Sequence, residues 1–437
     1  MSLLPENVQY AYYIDVTVVG GFEKTGTILI RGARQLLTLR GSRGPRCGPA
    51  LNDVGLIPDG ALLIRDGVLL EAGTTRRLEN LAQARGAEDV NAAGRVVMPG
   101  FVDSHTHLAF PPPGADEGME KSAGLIRATN GQRLEMRVRG YLQSMARHGA
   151  TTVEVKTGCG PDESAETKIL RVLAALKRDP LDVIPTFLFR LPSSGEDRIG
   201  SAADAVIRDI MPKLKRRRLA RFVDLAWEGG PARHEYFVRF LAAARSLGFA
   251  CKVHADQAAP RAAITAAVEQ LAVSVDHLEH ATAAEAALVA GSCTTATLLP
   301  CASFHGGGPS PPARALIDSG AAVALASNFN PLHTPTLNPQ TVVALASMQL
   351  GMTAAEAISA ATINGAHALG RADRTGSLEP GKLADLLILN ASDYRDLARD
   401  FGGNLVHRTM KRGEFIYTEG EVARRDRRLG PPLFERS

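Results

Sequence analysis

The chain contains 437 residues, of which 45% are hydrophobic and 22% are charged. This balance excludes a wholly disordered, collagen-like or disulfide-stapled chain, and the length allows two or three domains or one large barrel with an appendage. The 50 basic and 46 acidic residues leave a net charge of +4, which is too small and too dispersed to predict a nucleic-acid partner.

The cysteines and the hydropathy pattern bear on location. The chain has five scattered cysteines without a CxxC pair, at Cys47, Cys159, Cys251, Cys293 and Cys301. Such a set is typical of a reducing compartment. The first residues lack the basic and apolar segments of a signal peptide, and no run of about 18 apolar residues predicts a membrane span. We therefore expect a cytoplasmic protein with neither a membrane nor a nucleic-acid partner.

Residues 10–98 have the pattern of short strands joined by turns. The apolar run 61–65 is followed by Asp66 and Gly67 and then by further apolar residues. An Asp-Gly pair between two apolar runs predicts a hairpin with a two-residue turn. The same turn-and-strand pattern returns near the C-terminus. We expect one discontinuous β-sandwich domain formed by residues 10–98 and 372–425.

Between these segments, buried apolar runs alternate with alanine-rich stretches that predict helices, such as 132–147, 163–177, 234–247 and 261–271. The eight predicted strands are 100–104, 151–156, 183–189, 222–228, 250–254, 274–278, 294–299 and 321–326. Eight strands with intervening helices over about 230 residues match an α/β fold of the (β/α)8 TIM-barrel type, here spanning residues 99–371. A doubly wound open sheet gives the same alternation, so periodicity alone leaves both architectures open.

Histidines follow three of these strands at the end where barrel enzymes place their active sites. His105 and His107 stand two positions apart, so both imidazoles can point to the same side of an extended segment. His254 lies at the end of the fifth strand and His277 at the end of the sixth. A single histidine at a strand end is more often structural, but the repeated pattern predicts a metal site. Neutral imidazoles suit Zn²⁺ or Fe²⁺, and three protein ligands leave a position for water.

The sequences around these histidines resemble the amidohydrolase superfamily. Residues 97–107 read VMPGFVDSHTH, similar to its first-strand signature, and residues 376–385 read GSLEPGKLAD, similar to its return from barrel to sandwich. Within the superfamily, further motifs resemble the imidazolonepropionase family of histidine degradation. These motifs are GATTVEVKTG (149–158), KVHADQ (252–257), SVDHLE (274–279), LLP (298–300) and FNP (329–331).

The resemblance implies a mononuclear site with one divalent metal, zinc or iron. His105, His107 and His254 would be metal ligands, together with an Asp from the eighth strand. The metal would lower the pKa of a bound water, and the resulting hydroxide would attack a ring amide carbonyl. His277 would polarise the attacked group, and the strand-eight carboxylate would carry the proton to the leaving nitrogen.

Several positions depart from the family pattern. Asn328 stands where the strand-eight Asp is expected; an amide oxygen can ligate a metal but cannot accept a proton near pH 7. Cys159 replaces a tyrosine, and Arg190 lies where a histidine is missing and can occupy its space. Gln257 and Asn330 match positions that contact substrate in the family. We therefore expect these last four residues to bind substrate, and Asn328 to serve as both a metal ligand and a catalytic residue.

These features predict a metal-dependent amidohydrolase that hydrolyses a non-peptide C–N bond of a small cyclic amide. Imidazolone propionate, which would yield formimidoylglutamate, is the first candidate substrate. Two alternatives remain open: a catalytically impaired relative that binds a small molecule, and a heterocycle deaminase. His305 and His333, on predicted loops at the catalytic end, are candidates to replace the missing base. Similar proteins suggest a homodimer.

Overall fold

The computed structural model describes residues 26–111, 118–159, 162–191, 196–227, 234–255 and 261–420. Within these ranges the strands form two separate eight-stranded sheets. Numbered in chain order, the first sheet contains β1 (Thr27–Leu37), β2 (Leu56–Arg65), β3 (Val68–Thr74), β4 (Glu88–Asn91), β5 (Val96–Pro99), β14 (Leu386–Leu389), β15 (Val406–Lys411) and β16 (Glu414–Thr418). The second contains β6 (Phe101–Asp103), β7 (Ala150–Lys156), β8 (Asp182–Leu191), β9 (Phe222–Trp227), β10 (Ala250–Ala255), β11 (Ser274–His277), β12 (Thr295–Leu298) and β13 (Val323–Leu325).

Strands from both terminal parts of the chain build the first, mixed sheet. Its order is β16-β15-β14-β5-β1-β2-β3, and β4 pairs with β1. Strand β5 lies between β14, its antiparallel partner, and β1, its parallel partner. All eight strands belong to one hydrogen-bonded sheet, and apolar side chains such as Ile30, Leu62, Ile388 and Met410 share one buried cluster. The expected sheet from both termini is confirmed, whereas the domain boundaries stay a prediction because 10–25 and 421–425 lie outside the described residues.

The predicted hairpin joins β2 to β3. Asp66 and Gly67 both adopt left-handed conformations, with φ of 51° and 77°. A type I′ turn requires positive φ at both central residues, and this is why an Asp-Gly pair is favoured there. The turn is therefore specified by local sequence.

The second sheet is a nearly closed barrel of eight parallel strands. Its neighbours follow chain order from β6 to β13, which excludes the doubly wound alternative because that topology reverses its strand order. Each of the eight predicted strands overlaps an observed one. Between the first and last strands, the backbone N–H of Ser327 donates to Asp103 Oδ1 and that of Asn328 donates to the carbonyl oxygen of His105. The barrel is thus closed at the carboxyl ends of its strands.

Most helices connect or follow the barrel strands and surround them, whereas the first lies between β3 and β4 of the mixed sheet. They are α1 (Thr75–Glu79), α2 (Gly118–Ala128), α3 (Gly131–Arg147), α4 (Glu163–Ala175), α5 (Glu196–Ala205), α6 (Met211–Arg216), α7 (His234–Ser246), α8 (Arg261–Glu269), α9 (Ala283–Ala290), α10 (Pro300–Gly306), α11 (Ala313–Asp318), α12 (Pro339–Leu350), α13 (Ala354–Ser359) and α14 (Gly365–Ala368). The predicted helices 132–147, 163–177, 234–247 and 261–271 correspond to α3, α4, α7 and α8. Side chains of Asn130 and Asp162 cap the amino ends of α3 and α4. Among the described residues, no helix is both long enough and apolar enough to span a membrane.

Candidate metal centre

Four imidazoles converge at the carboxyl ends of the barrel strands. His105 and His107 follow β6, His254 lies in β10, and His277 ends β11. The ring centroids of His105 lie 4.5 Å from His254, 5.2 Å from His107 and 5.5 Å from His277. Each of these residues is at most 5% exposed. Residues more than 170 positions apart are therefore brought into one buried group, as the strand-end pattern predicts.

Three of these histidines form a group that can hold a metal ion. His105, His107 and His254 each offer a nitrogen, and the three nitrogens lie within 4.8 Å of one another. Among the described residues, Nε2 of His105, Nε2 of His254 and Nδ1 of His107 are buried without a hydrogen-bond partner. Buried polar atoms without a partner cost about 1–3 kcal/mol each, and a cation among them would remove that cost. The donor set fits a divalent metal.

The electrostatic surroundings keep these rings neutral. Burial is the main cause that lowers the pKa of His105, His107 and His254 well below the ordinary value, and neighbouring cationic groups lower each further. Lys156 acts in this way on all three and Arg190 on His107 and His254. The neutral imidazole is the form that ligates a metal.

Buried carboxylates orient two of the imidazoles. His105 Nδ1 lies 2.8 Å from Asp276 Oδ2, and His254 Nδ1 lies 2.9 Å from Asp224 Oδ2. Because a carboxylate accepts, each ring donates from Nδ1, which leaves Nε2 with a lone pair directed to the proposed metal position. Sequence reasoning assigned no role to either carboxylate. The available signal was an acidic residue inside an otherwise apolar barrel strand.

A network of buried charges lies beneath the four rings. Lys156 Nζ lies 2.5 Å from Asp224 Oδ2 and 2.7 Å from Asp276 Oδ2, and Lys252 Nζ lies 2.6 Å from Glu154 Oε2. All five side chains have no exposed surface. Burial favours the neutral acid, but Lys156 and Lys252 outweigh it and hold the pKa of Asp276 well below its ordinary value. Charges this deeply buried persist only when they are paired.

His277 occupies a strained position at the end of β11. Its φ is 84°, and that of the following Leu278 is 70°. Left-handed backbone is uncommon for such residues, and it occurs mainly where the surrounding structure enforces it, often at functional sites. His277 Nδ1 lies 2.9 Å from Glu279 Oε1. Glu279 therefore orients the His277 ring, a role that sequence reasoning did not assign.

Asn328 lies beside the histidine group in the loop after β13. It adopts a left-handed φ of 53°, which asparagine tolerates better than most residues. Its backbone N–H donates to the carbonyl oxygen of His105 over 3.1 Å. The nearby Asp103 is a further buried carboxylate that sequence reasoning did not single out; burial raises its pKa to about 6. The structure thus places Asn328 after the last barrel strand, in direct backbone contact with His105.

Of the predicted substrate-binding residues, Arg190 lies close enough to the centre to lower the pKa of His107 and His254. Cys159 follows Gly158, and a Cβ added at Gly158 would lie 3.3 Å from Arg190 Nε. Cys159 is 2% exposed, and burial raises the pKa of its thiol, so the sulfur stays protonated. Its backbone N–H donates to Glu166 Oε1 over 2.5 Å.

The remaining predicted site residues comprise two substrate-binding residues and two candidates for a replacement base. Asn330 is buried and its Oδ1 accepts a hydrogen bond from the backbone N–H of Leu332 over 2.9 Å. Gln257 lies outside the described residues. His305 lies in the last turn of α10, so its predicted loop position is wrong, whereas His333 lies in a turn. Both are exposed, unlike the buried four, and His305 Nε2 is 2.8 Å from Thr336 Oγ1. The exposed positions of these two histidines give no support for a replacement base.

Comparisons with known proteins agree with this architecture. A model described as "Amidohydrolase family" matches residues 96–416. An imidazolonepropionase of Porphyromonas gingivalis is 38% identical over 418 residues, covering 90% of this chain and 98% of that protein. An imidazolonepropionase of Solibacter usitatus is 37% identical, covering 88% and 97%.

Solved structures show the same fold at lower identity. A triazine hydrolase variant superposes with a TM-score of 0.70 at 18% identity, covering 90% of this chain and 95% of that one. Guanine deaminase of E. coli superposes with a TM-score of 0.66 at 15% identity, covering 90% and 99%.

The barrel, its buried histidine group and the family match define a metal-dependent hydrolase, and the chain belongs to the amidohydrolase family. Within that family it is imidazolonepropionase-like, a hydrolase that acts on C–N bonds of cyclic amides.

Proposed function

We propose that this chain hydrolyses the ring amide of imidazolone propionate and releases formimidoylglutamate. The observation that carries the proposal is the convergence of four buried imidazoles, three of which offer nitrogens within 4.8 Å. Identity of 38% to a curated imidazolonepropionase, over nearly the whole of that protein, supports the choice of substrate.

His105, His107 and His254 would hold one divalent metal, zinc or iron, with the amide oxygen of Asn328 as a further ligand. When bound, such an ion supplies Lewis-acid activation of water and of the ring carbonyl. The protein itself supplies the orientation of the ligand rings. Carboxylates fix two of the rings before any ion binds, so little reorganisation accompanies binding.

His277 is the residue proposed to contact the reacting group. Its Nδ1 donates to Glu279, so Nε2 is the nitrogen that would face the reacting group. As the neutral ring, Nε2 would accept a proton from the attacking water; as the imidazolium formed in this way, it would donate to the attacked group and pass the proton to the leaving nitrogen. Asn328 cannot accept a proton near pH 7, and the His277–Glu279 pair is the arrangement that can take over this transfer. A histidine backed by a carboxylate is a common general base.

Arg190 is proposed to bind the carboxylate of the substrate. The arginine that the family pattern places after the first-strand histidines is absent from this sequence. Arg190 contributes positive charge at the same centre, since it lowers the pKa of both His107 and His254. Gln257, Asn330 and Cys159 are proposed to complete the pocket.

The test is turnover by the purified, metal-loaded protein. We expect loss of imidazolone propionate and appearance of formimidoylglutamate by mass spectrometry. His277→Asn should lower kcat by about 10²–10⁴-fold, whereas the matched change His305→Asn at an exposed position should leave it unaltered. A metal-loaded protein that does not consume the substrate would contradict the proposal.

One observation favours a second candidate, a relative that binds a small molecule without turnover. Asn328 removes the family's strand-eight carboxylate, and an inert wild type that still binds imidazolone propionate in calorimetry would support this reading. A deaminase would instead release ammonia from a panel of heterocycles.

We also propose a cytoplasmic location. All five cysteines are free thiols, which supports a reducing compartment. A homodimer stays a prediction.

A further inference from the structure

Lys156 contacts both carboxylates that hold the imidazoles. Its ammonium lies 2.5 Å from Asp224 Oδ2 and 2.7 Å from Asp276 Oδ2. Those same two oxygen atoms accept the hydrogen bonds from His254 Nδ1 and His105 Nδ1. One ammonium therefore bridges two carboxylate–imidazole pairs, and each pair presents its Nε2 to the proposed metal.

The position of these residues in the barrel explains the bridge. Lys156, Asp224 and Asp276 come from β7, β9 and β11, and inward-facing side chains of alternate strands form layers inside such barrels. Those layers are ordinarily filled by branched apolar side chains. Here Lys156, Asp224 and Asp276 bring three charged groups without any exposed surface into one such layer. Because this charged layer lies directly below the metal-binding histidines, it points to a role in holding them.

Removal of the ammonium would change both pairs at once. Two buried carboxylates inside one barrel repel each other and are stable as anions only when a cation compensates them. Without compensation, a buried carboxylate turns away toward water. The imidazole beside it then loses the acceptor that fixes its hydrogen on Nδ1, and a ring that carries its hydrogen on Nε2 has no lone pair there for a metal.

We propose that Lys156 is a positioning residue for the metal centre: it fixes the two carboxylates, which in turn hold both rings with hydrogen on Nδ1. The inference rests on the proposed function only in so far as the histidine group binds a metal. Lys156 makes no contact with substrate in this scheme, and its effect reaches the metal solely through the two imidazoles.

A second group of residues could also hold a metal ion, and its contacts agree with a positioning role for Lys156. Asp224, His254 and Asp276 also offer ligand atoms within 4.8 Å of one another. The ammonium of Lys156 already lies against both carboxylates of that group. The internal ammonium thus takes the place of a second cation.

Lys252 provides a matched control. It is equally buried, lies on β10 two residues before His254, and pairs with Glu154 Oε2 at 2.6 Å. Its ammonium also donates to the carbonyl oxygen of Ser104. Lys252→Met therefore removes a buried charge of the same kind, which acts on Asp276 only through space, and leaves both carboxylate–imidazole pairs in direct contact with Lys156; its effect should be much the smaller.

The first measurement is zinc affinity of the full-length protein by competition with a chelator. Loss of an outer-shell partner typically weakens metal binding about 10–100-fold, and we expect a loss of this size for Lys156→Met. Lys252→Met should change the affinity by less than about threefold. Equal affinities of wild type and Lys156→Met would overturn the proposal, whereas a wild type that binds no zinc would contradict the proposed function itself.

The second measurement reports the tautomers without any metal. In the metal-free wild type, ring ¹⁵N NMR shifts of histidine should show His105 and His254 with hydrogen on Nδ1. In Lys156→Met at least one of them should move toward the Nε2–H form, and in Lys252→Met neither should. Unchanged tautomers in a folded Lys156→Met variant would overturn the proposal.

Asp276→Asn keeps the proposal testable if Lys156→Met does not fold. An asparagine oxygen at this position can still accept from His105 but has no charge for the lysine to pair with. We expect weaker zinc binding in Asp276→Asn, and a further loss on adding Lys156→Met, because Asp224 then has no ammonium beside it. Wild-type affinity and tautomers in Asp276→Asn would count against the proposal.

Discussion

The side chain of Asp103 accepts a hydrogen bond from the backbone N–H of Ser327 over 3.1 Å, and this bond joins the end of the first barrel strand to the end of the last. Asp103 stands two residues before His105, and Ser327 stands directly before Asn328. The contact that completes the barrel therefore also sets the distance between the first-strand histidines and the residue that replaces the family's carboxylate.

Asn328→Asp tests what this replacement does. We expect zinc affinity to rise by roughly tenfold, because a carboxylate adds charge that an amide oxygen lacks. We expect kcat to be no higher than in wild type if the His277–Glu279 pair performs the proton transfer as proposed. Chelator competition and steady-state kinetics check the two statements. A variant that gains turnover from an inert wild type would instead identify a catalytically impaired relative.

Arg190→Gln tests recognition of the substrate carboxylate. A hydrogen bond to a charged group contributes about 1.5–3 kcal/mol, so KM for imidazolone propionate should rise roughly 10–100-fold with a smaller change in kcat. The matched change Arg208→Gln, at an exposed helical position, should alter neither constant. The methyl ester of the substrate, which lacks the charge, should be insensitive to Arg190→Gln. If Arg190→Gln raised KM equally for the acid and for its methyl ester, this role of Arg190 would be contradicted.

Glu166 makes the stability of the fold depend on pH. Burial raises its pKa from 4.5 to about 7, although the backbone N–H groups of Gly158 and Cys159 favour the anion. Between pH 4.5 and 7 the unfolded chain loses this proton while the folded chain retains it, so the free energy of unfolding should fall as pH rises through that window. A shift of this size corresponds to about 3 kcal/mol.

Glu166→Gln should remove this dependence. Urea unfolding at pH 5 and pH 7.5 should show a smaller loss of stability in the variant than in wild type. Glu163→Gln on the same helix, where the carboxylate is 44% exposed, is the matched control and should behave as wild type. Parallel pH curves for wild type and Glu166→Gln would show that the prediction is wrong.

Gly365 holds α14 against the first barrel strand. A Cβ at this position would lie 2.5 Å from the carbonyl oxygen of Val102, a backbone atom that cannot move aside cheaply. Gly365→Ala should therefore destabilise the protein by about 1–3 kcal/mol. Gly140→Ala, in α3 with nothing within 4 Å, should instead stabilise it by up to about 1 kcal/mol. Denaturant midpoints of the two variants provide the comparison.

The sequence predicted the barrel well because its signals are local. Buried parallel strands appear as short apolar runs, and the hairpin at Asp66 and Gly67 depends on the φ values of two adjacent residues. The histidine pattern was equally readable, because residues at strand ends of one barrel share a face. These features need no knowledge of distant contacts.

The carboxylates that orient the histidines could not be assigned in the same way. Asp276 and His105 form a hydrogen bond although they lie 171 residues apart in the sequence, and Asp224 and His254 form one between two adjacent strands. Which acid meets which imidazole depends on the stagger of strands around the barrel, and no short segment encodes it. An acidic residue within an apolar strand marks a buried charge but does not name its partner.

The mixed sheet has a consequence for synthesis on the ribosome. Strand β5 gains its antiparallel neighbour β14 only after every barrel strand has left the exit tunnel. Until then one edge of β5 is open, and a nascent chain stalled within the barrel would expose unpaired backbone groups to other chains. Premature termination should therefore yield an aggregating product instead of a working fragment.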